Sequence, residues 1–119
     1  MNIKDLSAGL SFEGKVSGRR QTYSVFSSPK AYFVFSFSRA KPKAGYFNMV
    51  SREAHQYVRK MTRGRQGVTS QDVNKRARKR KLIGSALEAL NVLYVMVALG
   101  EAKIDQRHTG IQLFFNVSE

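Results

Sequence analysis

The hydrophobic pattern of this chain changes period at Ser51, from two residues to 3.6, and this change fixes the order of its elements. Upstream, residues 21–27 and 31–38 are rich in aromatic and β-branched side chains, with the turn signal Ser28-Pro29-Lys30 between them. In the second run Phe33, Phe35 and Phe37 fall on one face, and Tyr32, Val34 and Ser36 on the other. Residues 46–50 read as a further strand, and residues 12–16 as a fourth. A basic hairpin loop with Arg39, Lys41 and Lys43 precedes the strand at 46–50. The N-terminal half is therefore expected to be an antiparallel meander with one aromatic face.

Downstream, Ala54, Tyr57, Val58 and Met61 form the stripe of an amphipathic helix, capped by Ser51 and stopped at Gly64. A second helix is expected to start near Thr69. The Thr69 hydroxyl can cap the Asp72 amide, the Asp72 carboxylate can reach back, and Val68 and Val73 occupy the staple positions. It has little apolar surface, only Val73 and Ala77, and should lie on the outside. A third helix opens on the capping box Ser85-Ala86-Leu87-Glu88 and runs through Leu90, Leu93, Tyr94 and Val97 to a left-handed stop at Gly100. Val92, Val95, Met96 and Leu99 make that helix apolar on a second side as well, so it needs cover on both. The aromatic strand face is the expected cover, with a second subunit as the alternative. Residues 102–105 read as a short strand, 106–110 as a turn, and Ile111, Leu113, Phe115 and Val117 as a strand with one buried face.

The chain has 119 residues, room for a single domain of α+β class. Its 21 Lys and Arg against 8 Asp and Glu give a net charge of +13. The excess is uneven: +6 over residues 1–50, +9 over 51–81 and −2 over 82–119. Such a charge suits a polyanion. Six of the seven residues from Lys75 to Lys81 are basic: Lys75, Arg76, Arg78, Lys79, Arg80 and Lys81. No acid among them neutralises the run. The absence of cysteine excludes disulfides, thiolate metal sites and Cys nucleophiles, and fits a cytoplasmic protein. With two histidines, no metal or cofactor is expected. Neither a signal peptide nor a membrane span is read in the sequence.

Helix, short turn, helix, basic turn, apolar helix and two-stranded hairpin is the order of a winged helix-turn-helix, and residues 51–117 resemble that superfamily. The match rests on Val68-Thr69-Ser70-x-Asp72-Val73, on Leu87-x-x-Leu90-x-x-Leu93 and on Leu99-Gly100-Glu101-Ala102. The resemblance implies a DNA-binding fold whose third helix reads the major groove from its first turns while the wing touches backbone or minor groove. Carried over, it assigns Lys79, Arg80, Lys81, Ser85 and Glu88 to the helix start, and Arg107 and His108 to the wing tip. The fold expected is an N-terminal β-meander packed on a C-terminal winged helix-turn-helix. The function expected is a non-enzymatic binder of double-stranded DNA, a transcriptional regulator associated with nucleic acid in the cytoplasm.

Arg63 and Arg65 are further candidate phosphate contacts, although cations also suit a helix C-terminus. Arg59 and Lys60 carry the same ambiguity. Two alternatives remain open. One is an RNA or single-strand binder that stacks bases on the aromatic sheet. The other is a protein-interaction subunit or inhibitor of a nucleoprotein complex, which meets its partner or a second copy through the third helix. Glu101-Ala102-Lys103 with Asp105 matches half of a nuclease metal site, but no strand-borne Asp precedes it, so it is read as chance. His55 is read as structural. If Ser85 caps the third helix, Ser85→Ala should lower stability by about 1 kcal/mol in urea denaturation. An unchanged midpoint would move the helix start elsewhere.

Overall fold

The computed structural model describes residues 9–18, 22–37, 45–77, 81–108 and 110–119, without the side chains of Phe37 and Tyr46. The chain is α+β. Strands β1 (Ser11–Ser17), β2 (Thr22–Ser27), β3 (Ala31–Phe37) and β4 (Gly45–Ser51) form one antiparallel sheet in the order β1-β2-β3-β4. Helices α1 (Arg52–Thr62), α2 (Ser70–Ala77) and α3 (Ala86–Ala98) follow. Strands β5 (Ala102–Ile104) and β6 (Phe115–Val117) then pair as a short antiparallel ladder. Val68 adds a single bridge to Phe115, with reciprocal backbone hydrogen bonds of 2.8 Å.

The helix ends follow local chemistry. The Ser51 hydroxyl accepts from the Ala54 amide at the start of α1. Thr69 and Asp72 exchange the reciprocal bonds expected before α2. Ser85 accepts from the Glu88 amide at the start of α3, while the Glu88 carboxylate reaches the Gly84 amide, one residue before the cap. Beyond α3, Gly100 takes φ +79°, a conformation that costs glycine little.

Helix α3 is the centre of the fold. Ala89 and Asn91 through Met96 are all buried along it. It meets α1, α2, β5 and all four strands of the larger sheet. Val16, Tyr23, Val25, Tyr32, Val34 and Val50 supply the sheet's part of the core, and Tyr23 stacks on Tyr94 with ring centroids 4.3 Å apart. Gly14 lets β1 lie against the end of α3, because a Cβ there would sit 3.3 Å from the Ala98 carbonyl oxygen. The buried side chains of the meander and of the helices join in one hydrophobic cluster.

Three expectations are corrected. The sheet does cover the second side of α3, but with the opposite face. Tyr32, Val34 and Ser36 point inward and are buried, while Phe33 and Phe35 lie on the outer face. The inward face mixes four valines with Tyr23 and Tyr32, and Tyr23 meets α3 through its stack on Tyr94. Second, Leu87 is outside the core, 52% exposed in the first turn of α3. Third, the last strand covers only Phe115–Val117, and Ile111 is exposed. Residues 51–119 expressed without the sheet should run as an aggregate in size-exclusion chromatography, since α3 would be bared to water. A folded monomer would show that the helical half needs no cover.

Candidate functional site

The basic surface is built on the turn after α1 and on α2. Arg63 and Arg65 are exposed just past the end of α1, and Lys75 and Arg76 on the last turn of α2. Lys81 is exposed in the connection to α3 with a left-handed φ of 56°. None of these five makes an ion pair among the described residues. An open cleft of about 410 Å³ between the end of α1 and α2 has a lining that includes Met61, Arg65, Gly67, Asp72 and Arg76. Arg65 and Arg76 thus share one concavity. Among the described residues that line it, the one carboxylate is that of Asp72, which accepts from the Thr69 amide at 3.3 Å.

The remaining expected contacts divide. Arg78, Lys79 and Arg80, and likewise Arg39, Lys41 and Lys43, lie outside the described residues. Ser85 and Glu88 are both engaged in capping α3. Helix α3 is in contact with all four strands of the larger sheet. Arg107 is held by Asp105: its Nη2 donates at 2.6 Å and its Nε at 2.9 Å, and its backbone amide donates at 3.0 Å. Its side chain still remains 80% exposed. His108 stacks on Phe114 at 4.0 Å, with its Nε2 3.8 Å from Asp105.

Arg59 does structural work. Its Nη1 and Nη2 donate to the Ser118 and Glu119 carbonyls, and its Nε lies 3.7 Å from Glu101. The other Glu101 oxygen is 2.7 Å from Nε2 of His55, which is buried against Tyr32. Glu101 and Asp105 are therefore bound to different cations, and Lys103 is exposed. No group of three or more metal-ligating side chains occurs among the described residues. Nor is any described helix long and apolar enough to cross a membrane.

The feature that sequence reasoning assigned to the core is the outer face of the sheet. Phe12, Phe47 and Met49 are 56%, 57% and 66% exposed, with Phe26, Phe33 and Phe35 half-buried among them. Its signal was present in the alternation of Phe33, Phe35 and Phe37. No family model, curated protein or solved structure matches this chain.

The side-chain and backbone hydrogen bonds from Arg107 hold the Asp105 carboxyl far below the ordinary value of 3.8. A carboxyl depressed in the folded state stabilises above its ordinary value, and that stabilisation is lost as pH falls below it. Asp105→Asn should therefore lower the melting temperature at neutral pH, and the gap to the parent should close on acidification below 3.8. A gap that stays constant with pH would show that the ion pair contributes nothing to stability.

Proposed function

We propose that this chain is a non-enzymatic double-stranded DNA-binding protein, a transcriptional regulator that grips the backbone rather than reading bases from a helix. The observation that carries the reading is the pair Arg65 and Arg76 lining one cleft, with Arg63, Lys75 and Lys81 also exposed and none of the five in an ion pair among the described residues. Cations so placed neutralise phosphates and release counterions, a sequence-independent source of affinity. The net charge of +13 steers a polyanion to them.

Within this proposal residues 51–117 act as a winged helix-turn-helix. What supports it is the order α1, the Val68 bridge, α2, α3, β5 and β6, with Val68, β6 and β5 side by side. Arg107 and His108, in the link between β5 and β6, then serve as the wing. The sheet over α3 departs from the usual docking geometry and leaves the major groove to the first turn alone. Any preference among sequences then comes from DNA shape and deformability.

Duplex affinity should fall with salt at a log–log slope of roughly −5, for about six phosphate contacts. Arg65→Ala and Arg76→Ala should each weaken binding to all duplexes alike and make the slope shallower by about 1. Stability should change by no more than about 0.5 kcal/mol. A slope near zero in fluorescence anisotropy would reject the phosphate-led reading.

A further inference from the structure

The outer face of the four-stranded sheet is a second surface, away from α3, and cross-strand pairing arranges it in two rows. Phe12, Phe26, Phe33 and Met49 stand opposite one another along the first row, and Lys15, Ser24, Phe35 and Phe47 along the second. The rings touch in sequence across the sheet. Centroids are 5.4 Å apart for Phe12 and Phe26, 5.5 Å for Phe26 and Phe35, 5.0 Å for Phe35 and Phe47, and 5.8 Å for Phe47 and Phe33. No carboxylate stands in either row. Five Phe rings and a Met thus form a continuous apolar surface on a chain that is otherwise strongly basic, and such a surface marks an interaction site.

Charge indicates the occupant. Exposed Lys15 ends the second row. A second copy of a +13 chain would be repelled from such a face, whereas a polyanion with flat apolar groups would be drawn to it. Unpaired nucleotides have both properties: every base offers a π-face to an aromatic ring, and every phosphate a charge to a cation. Duplex DNA does not suit it, since its bases are already stacked and paired.

We propose that the outer sheet face binds single-stranded DNA, with bases stacked on Phe12, Phe47 and their half-buried neighbours and a phosphate near Lys15. DNA is favoured over RNA because the two rows offer only one hydroxyl, Ser24, with which to recognise a 2′-OH. This site is independent of the duplex-binding cleft, so either can fail without the other.

The test uses the full chain, which has no Trp of its own. Phe47→Trp places a single indole on the face. A thymidine oligomer about twelve nucleotides long, a span that an extended stacking surface can hold, should quench its emission, and a duplex at the same salt should not. Phe12→Ala and Phe47→Ala should each weaken oligomer binding about tenfold, with unchanged melting temperature and unchanged duplex affinity. Arg76→Ala should do the reverse, weakening the duplex and sparing the single strand. Absence of quenching, or undiminished affinity in both alanine variants, overturns the proposal. So does tighter binding of the matching uridine oligomer. A doubled mass in sedimentation that Phe47→Ala abolishes would give the face to a second copy instead.

Discussion

Everything in this fold depends on burying one helix that has no polar side. Between Ala89 and Met96 only Leu90 escapes full burial, and it still packs against the core. A helix of that kind is stable in water only if it is enclosed. Helices α1 and α2 and strand β5 cover part of it, and the inner sheet face covers the rest. Each fully buried aliphatic side chain contributes about 1.5–3 kcal/mol through the area it removes from water, so this enclosure outweighs any single polar contact. The polar contacts serve to fix the parts around it. Arg59 and His55 tie α1 to Glu101 just past the end of α3, and Arg52 spans from the Ser28 carbonyl to the Tyr32 hydroxyl, with its guanidinium 4.3 Å from the Tyr32 ring. Burial raises the pKa of the Tyr32 phenol and keeps it a neutral partner.

Enclosing α3 has a consequence for function. Helix α3 lies under the sheet, and its first turn is occupied with capping itself. Two surfaces lie outside what the core needs. One is the cationic cleft between α1 and α2. The other is the aromatic outer face, which the sheet leaves bare because its valine side faces inward. The two differ in chemistry. One is charged and the other apolar, with a single lysine at its edge.

Much of the architecture was legible where a local rule governs it. Ser51, Thr69 and Ser85 cap the helices they were expected to cap, because an N-cap needs only its own hydroxyl and an amide three residues on. The four meander strands and the three helices stand where the change of period places them. Within the site, the exposure of Arg63, Arg65, Lys75, Arg76 and Lys81 follows from the density of their charge. The roles of Arg59 and Glu101 were not legible. Glu101 meets His55 across 46 positions, and no local pattern marks such a pair.

By itself the sequence determined the element types, their ends, the class of the fold and the excess of positive charge, all of which depend on neighbours within a turn or two. Only the tertiary structure decided which face of the sheet is core. Both faces of β3 are apolar, Phe33 and Phe35 on one side and Tyr32 and Val34 on the other, so alternation alone gives no preference. The choice is made by contact with α3: Val16, Val25, Val34 and Val50 are buried on that side together with Tyr32 and with Tyr23, which stacks on Tyr94. The phenylalanines of the other side are thereby turned outward.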